Sequence, residues 1–327
     1  MKKQNHSIET LKQAIENLND LLIISHVLPD GDNVGSVIAM ALWLESAGKR
    51  VTAVINGEMP PYYRFLEGAD RLVPPDAVEH RPYEGVLCLD MSDKERGGRV
   101  WERVGGEPTL INIDHHVSNE GFGDYNFVWS DASSTAEIVT FLLTEWGVPL
   151  TRAIAEALYT GIVTDSGSFT YPSTSPRTMR MAALLLEEKP RLEAIRENVL
   201  ENVTFKRKKL LAAVLERAEL SCGGRLCHAA IDHDAIAALG ATGPDFENII
   251  DHLIGITGVE YAVFFREMEK GRVKVGFRGR GGNDVTVAAS RFGGGGHKAA
   301  AGCSFTGSLE DAVKEILAVV RAGLEAN

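Results

Sequence analysis

Short β-branched and apolar runs alternate with amphipathic stretches through the first half of the chain, and this alternation narrows the fold more than any other feature. LLIIS (21–25), VTAVI (51–55), GVLCLD (85–90) and TLINID (109–114) read as strands, and an apolar stretch from about Val34 to Ala47 reads as a helix. The pattern is that of an open α/β sheet, so the expected fold class is α/β, with a mainly parallel N-terminal sheet flanked by helices. In such a sheet the carboxyl ends of the strands gather along one edge, where ligands bind. Two of the runs end in Asp, and the last runs on into His115 and His116. Three ionisable groups where a strand reaches the surface call for a chemical reason.

The region from Ser134 to Leu186 reads as mainly helical, interrupted by TDSGSFTYPSTSP, and the charged, glycine-poor stretch that follows reads as a helical connector. Beyond it RLCHAAI, VEYAVFF and RVKVGF are strand-like, and the segments around Asp245–Leu253, Asp284–Phe292 and Leu309–Leu324 are helix-like. The expected organisation is a first domain over 1–190, a connector over 191–220 and a smaller mixed α/β domain over 221–327.

A chain of 327 residues, 44% hydrophobic, can bury the cores this requires. No apolar run reaches the roughly 18 residues that span a bilayer, and the polar opening lacks a signal-peptide core. A cytoplasmic location with no membrane partner is expected. The four cysteines form no disulfide framework, and Cys222 and Cys227 read as packing residues rather than half a zinc site. A formal net charge of -11 argues against indiscriminate binding to long nucleic acid. The charge is uneven, however: Lys270 to Ala300 holds seven basic residues against one acid, Asp284. One segment of an acidic protein is built to attract anions.

Four motifs carry the chemistry. SHVLPDGDNVGS places His26, Asp30 and Asp32 between a strand and a helix; Asp90 closes CLD; Asp114, His115 and His116 form DHH; Asp165 lies in GIVTDSGSF. Taken singly, an Asp before a helix is an N-cap, a His is a hydrogen-bonded structural residue and PDGD is a turn. Their coincidence favours a metal site. Asp30, Asp32, Asp90 and Asp165 gathered on one edge repel one another, and no lysine or arginine lies inside the motifs. Two divalent ions would cancel the four charges. Carboxylate and imidazole donors without thiolate suit manganese first, with magnesium or cobalt as alternatives. Gly31 is expected to free the backbone to turn, so that Asp30 and Asp32 address different ions.

On these residues the sequence resembles the DHH phosphoesterase superfamily, and within it the oligoribonuclease/pAp-phosphatase type. HVLPDGDNVGS, CLDMSD, DHHVSNEGFGDYNFV and TGIVTDSGSF follow the family's motifs in order, and GFRGRGGNDVTVAASRFGGGGHKAAAGC resembles its C-terminal DHH-associated domain. The resemblance implies that His26, Asp30, Asp90 and Asp165 hold one ion while Asp32, Asp90 and His115 hold the other, with Asp90 bridging. Asp114 would support the histidines, and His116 would meet the scissile phosphate. Asn33 and Gly279 depart from the commonest pattern, and neither is expected to touch a ligand.

GGGGH, ending at His297, sits in the basic segment between a helix-like and a strand-like run. Read alone it is as much a flexible turn as a site. Its glycines would let backbone N–H groups approach an anion, with Arg278 and His297 adding charge. The resemblance implies that Arg278, Gly294, Gly295, Gly296 and His297 hold the far end of the substrate. The expected substrates are short single-stranded RNA or DNA, cut to mononucleotides, or a nucleotide bisphosphate such as 3′-phosphoadenosine 5′-phosphate, with homodimerisation left open. Cyclic or linear dinucleotides are the alternative. A RecJ-like exonuclease, a family II pyrophosphatase and a nucleotide-binding regulator without turnover fit the length, acidity and complete donor set less well.

Overall fold

The computed structural model describes residues 5–325, which divide into two compact units between Asn202 and Val203. In the first unit five strands, β1 (Asp20–Ile24), β2 (Arg50–Ala53), β3 (Gly85–Leu89), β4 (Thr109–Asp114) and β5 (Tyr125–Val128), form a wholly parallel sheet in the order β2-β1-β3-β4-β5. Parallel strands need crossovers that cover both faces, and β1 shows the result. Leu21 and Ile23 enter a large core, while Leu22 and Ile24 enter a second one with Val86, Cys88 and Val100. Strand β5 was not anticipated. It is four residues long and its sequence, YNFV, carries no long apolar run.

The helices α1 (Ile8–Glu16), α2 (Gly31–Ser46), α3 (Thr135–Glu145), α4 (Arg152–Asp165) and α5 (Pro176–Glu187) complete the unit. Helices α2 and α4 lie close together because of glycine. A Cβ on Gly31 would sit 2.3 Å from Thr164 Oγ1, and one on Gly35 would sit 2.3 Å from the Ala157 carbonyl oxygen. Gly31 is the first residue of α2 and has no positive φ. Its role is therefore close packing rather than the turn expected of it.

The second unit contains α6 (Phe205–Glu216), β6 (Glu219–Ser221), β7 (Leu226–Ile231), α7 (His233–Leu239), α8 (Ile249–Ile254), β8 (Tyr261–Glu269), β9 (Arg272–Gly279), α9 (Thr286–Arg291), β10 (Gly295–His297), β11 (Ala300–Thr306) and α10 (Leu309–Glu325). Its six-stranded mixed sheet runs β10-β11-β9-β8-β7-β6, with β7 and β8 parallel and the other pairs antiparallel. Val263, Phe265, Val275 and Phe277 pack beneath α9 and α10. On the opposite face Ala262 and Phe264 pack with Leu210, Val214 and Leu253. The α/β class and the two kinds of sheet agree with expectation.

Within 191–220, Arg191 is held by the buried Glu156 of the first unit, while Leu210 and Val214 are core residues of the second.

Candidate metal centre

In the first sheet β1 is flanked by β2 on one side and β3 on the other, so chain connections leave β1 and β3 in opposite directions. The crevice at the carboxyl end of such a switch point is where open α/β sheets bind ligands. The four motifs meet there. His26 and Asp30 follow β1, Asp90 follows β3, and His115 and His116 follow β4, while Asp32 lies in the first turn of α2 and Asp165 closes α4.

Metal-ligating atoms form three overlapping groups, each within 4.8 Å: His26, Asp30 and Asp90; Asp32, His115 and Asp165; and Asp90, His115 and His116. Asp165 stands beside His115, its Oδ2 3.4 Å from Nε2. The partition thus differs from the one the resemblance implied, which set Asp165 with His26. The physical reason is the α2–α4 packing, which brings the end of α4 against the first turn of α2.

Asp90 lies between the groups. Its Oδ2 is 3.1 Å from His26 Nε2, and its Oδ1 is 3.6 Å from His115 Nε2 and accepts a hydrogen bond from Thr135 Oγ1 at 3.1 Å. One carboxylate thereby presents an oxygen to each side. Its backbone is in the left-handed region, φ 57°, which few non-glycine residues adopt. Asp30 serves twice. Oδ1 accepts from the Asn33 N–H at 3.0 Å and caps α2, while Oδ2 faces His26 at 3.6 Å. The ordinary N-cap and the ligand are the same residue.

Asp32 is 1% exposed, and its two oxygens accept the N–H groups of Thr135 and Ala136, each at 2.7 Å. These are donors left free at the start of α3. Burial, then Asp90, Asp165 and Asp30, push its pKa well above the usual carboxylate range. Burial and the neighbouring Asp90 and Asp30 also push Asp165 up to about 6, against the opposing effect of His115. An acid at the C-terminus of α4 is further disfavoured by the helix dipole. Burial would lower the pKa of His26, but hydrogen bonds to Asp30 and Asp90 outweigh it and raise it to about 10. Its Nδ1 donates to the Val27 carbonyl at 2.7 Å, which leaves Nε2 aimed at the carboxylates.

Asp114 is fully buried and meets His116 rather than His115. Its oxygens accept from His116 Nδ1 at 2.7 Å and Asn119 Nδ2 at 2.6 Å. Burial alone would raise its pKa; these bonds and the histidine charges hold it below the usual range. His116 Nε2 lies 3.1 Å from Arg96 Nη1. A guanidinium can only donate, so Nε2 accepts and Nδ1 carries the proton given to Asp114.

Sequence reasoning missed Arg96, Asn119, Thr135 and Glu137. Buried Glu137 accepts from Ser133 N and Oγ, Thr178 Oγ1 and Arg177 Nε, and so fixes the loop that serves Asp32 and Asp90. SDASST before a helical run is a capping signal that identified the element but not its task. Asn33, expected to touch no ligand, is buried and donates from Nδ2 to the His26 carbonyl at 3.0 Å.

In the second unit Arg278 Nε donates to Asp251 Oδ1 at 2.8 Å. GGGGH is not a free loop, since Gly295–His297 form β10 and the Gly293 and Gly294 N–H groups are bonded to Ser290 and Ala289. Gly279 is glycine for a steric reason. A Cβ there would lie 2.7 Å from the Asn283 carbonyl.

The residues present fit divalent cations. Among the described residues no lysine or arginine pairs with Asp30, Asp32, Asp90 or Asp165, so repulsion inside the cluster is relieved only by histidine and backbone N–H groups. Oxygen and imidazole donors in this number match hard or borderline divalent ions.

A switch-point cluster of carboxylates and histidines, joined to a separate mixed-sheet unit, defines a class of protein that the comparisons identify. Residues 20–162 match the model of the DHH family N-terminal domain and residues 211–326 that of the DHHA1 domain. The chain belongs to the DHH family. It is 34% identical over 321 residues, spanning 97% of this chain and 93% of the relative, to the Thermus thermophilus protein named bifunctional oligoribonuclease and PAP phosphatase NrnA. The protein of the same name from Bacillus subtilis is 29% identical, with 90% and 92% spanned. An exopolyphosphatase-related protein from Bacteroides fragilis has a solved structure that aligns with a TM-score of 0.84 at 25% identity, covering 98% of this chain and 95% of that one.

Proposed function

We propose that the protein is a two-metal phosphoesterase that hydrolyses short oligonucleotides to mononucleotides and removes a phosphate from nucleotide bisphosphates of the 3′-phosphoadenosine 5′-phosphate kind. The observation that carries this reading is Asp90, whose two oxygens face two separate sets of donors at the sheet's switch point. His26, Asp30 and one oxygen of Asp90 would hold one ion; Asp32, His115, Asp165 and the other oxygen would hold the second. Manganese suits the donors best. Bound there, two ions supply Lewis acidity to phosphoryl oxygens and lower the pKa of a water nucleophile. The chain's own part is orientation and proton handling. Asp114 fixes the ring of His116 and favours its protonated form, and Arg96 beside Nε2 adds a permanent charge to which phosphate oxygens are attracted. The second unit, with its basic segment, would grip the rest of a short substrate. The names of the Thermus and Bacillus relatives support this choice of substrates.

The test is turnover by purified protein with manganese, scored on diadenylate, longer oligoadenylates, 3′-phosphoadenosine 5′-phosphate and a cyclic dinucleotide. Faster hydrolysis of the shortest linear substrates is expected. Activity that survives exhaustive chelation, or a preference for long strands, would overturn the reading.

A further inference from the structure

The register of the second sheet sets three rows across the face that packs against α8. The first holds Ala262, Arg278, Ala300 and His297; the second Phe264, Gly276, Gly302 and Gly295; the third Arg266, Lys274 and Ser304. The middle row is a floor without side chains across three adjacent strands. Pairing is regular there, since the one shift between β8 and β9 falls at Glu267/Glu269. A Cβ on Gly276 would make only an ordinary contact, 3.5 Å from Ile250 Cδ1, and one on Gly295 would meet nothing within 4 Å. Neither residue has a positive φ. Glycine weakens a strand interior, and where neither bulge nor packing demands it, close approach of a ligand to the backbone is the remaining physical reason.

A cavity of about 390 Å³ opens on this floor, lined among others by Phe246, Asn248, Phe264, Arg266 and Arg278. The two guanidiniums differ in one respect. Arg278 already has Asp251 at 2.8 Å. Arg266 pairs with no carboxylate among the described residues, although Glu247 also lines the cavity, and its Nε is buried without an acceptor. Its guanidinium carbon lies 5.3 Å and 5.7 Å from the ring centroids of Phe246 and Phe264. Aromatic faces offset part of the cost of a half-buried cation, and burial still depresses its pKa. A cation kept dry beside a cavity, with its partner missing, is poised for an anionic ligand.

Building on the phosphoesterase reading, we propose that Arg266 binds a terminal phosphomonoester of the substrate, with the adjoining nucleoside lying on the Gly276–Gly302–Gly295 floor. A phosphomonoester offers several oxygens to a guanidinium fork, whereas an internal diester offers two. Phe246 and Phe264 give a base an apolar wall. At about 3.3–3.4 Å per residue the outer rows are roughly 13 Å apart at the backbone, a span that long arginines on either side narrow to the size of one nucleotide. The preferred substrates are then short nucleotides that carry a phosphate at one end.

The test uses the full-length, manganese-loaded protein and three diadenylates with an uncleavable phosphonate link: one 5′-phosphorylated, one 3′-phosphorylated and one with neither phosphate. Calorimetry should show at least one phosphorylated ligand binding about tenfold tighter than the unphosphorylated one. Arg266→Gln should erase that advantage while leaving the unphosphorylated ligand unaffected, and Arg266→Lys should keep part of it. An equal loss on all three ligands, or an Arg266→Gln protein that retains the full advantage, overturns the proposal. Should Arg266→Gln fail to fold, wild type and Arg266→Lys still decide. A wild type without a phosphate advantage sinks the idea, as does a lysine variant that weakens all three ligands alike. If cleavable diadenylates are not hydrolysed but the phosphate-dependent binding persists, the phosphoesterase reading fails and the Arg266 site stands.

Discussion

Glu137 lies three residues into α3 with no side-chain exposure, and its carboxylate accepts four hydrogen bonds, one of them from Arg177. Glu137→Gln keeps the shape but exchanges an acceptor oxygen for an NH₂ group. Two of the four donors then face a donor, and the charge that held Arg177 is gone. Leaving a buried ion pair half-made costs about 3–5 kcal/mol, or a fall in Tm of roughly 10 °C for a unit of this size. All four tryptophans, Trp43, Trp101, Trp129 and Trp146, lie in the first unit. Tryptophan fluorescence in a urea titration therefore reports that unit alone. The same substitution should reach the metal centre, because the Ser133–Ala136 loop that Glu137 holds supplies two N–H groups to Asp32 and the Thr135 hydroxyl to Asp90. Disturbing such supporting bonds lowers metal affinity by about 10–100-fold. A stability loss under about 1 kcal/mol would refute the assignment of Glu137 as the fixed point of the loop. A full stability loss with unchanged metal affinity would refute the link from loop to centre.

Metal uptake should release protons. In the ion-free protein the raised pKa of His26, about 10, gives stability that is complete below the unfolded value near 6.5 and lost as pH rises towards 10. A bound ion displaces that proton, and the one that burial and neighbouring charges keep on Asp32. Calorimetry in buffers of different ionisation enthalpy should find on the order of one to two protons released near neutral pH, with affinity rising as pH rises; uptake without release would contradict the electrostatics. His115→Ala should lose metal, whereas His116→Ala should retain it and lose about 10²–10⁴ in kcat; an ion missing from the His116 variant by elemental analysis would make His116 a ligand. Asp90→Ala should abolish activity. Asn33→Ala should leave metal bound but lower stability by about 1–3 kcal/mol through the unpaired His26 carbonyl, and an unchanged melting temperature would rule out that role.

Strands β1, β3 and β4 were legible because each is a run of buried apolar residues, and the ligand motifs because each directly follows a strand or a helix end. Strand β5 was not, since YNFV owes its place to pairing with β4 rather than to its own composition. The grouping of Asp165 was also hidden. Proximity between the end of one helix and the start of another is set by glycines 31 and 35, whose small size a sequence shows but whose neighbours it does not. Arg96 and Glu137 escaped notice for a related reason. They are ordinary charged residues in local sequence, and only tertiary contact makes one a neighbour of His116 and the other the anchor of a loop.

The tight seam between α2 and α4 has an effect on how this chain tolerates change. A single methyl group at position 31 would overlap the Thr164 side chain, one at 35 would overlap a backbone carbonyl that cannot move without its helix, and one at 161 would lie 2.6 Å from Ala136 Cβ and 3.2 Å from Asp32 Cα. The three positions hold no functional group, yet each sits where the spacing of the donor set is decided. In a saturation mutagenesis map scored by activity, Gly31, Gly35 and Gly161 should stand out as strongly as the aspartates, and replacement by alanine, the mildest of changes elsewhere, should be among the harshest there.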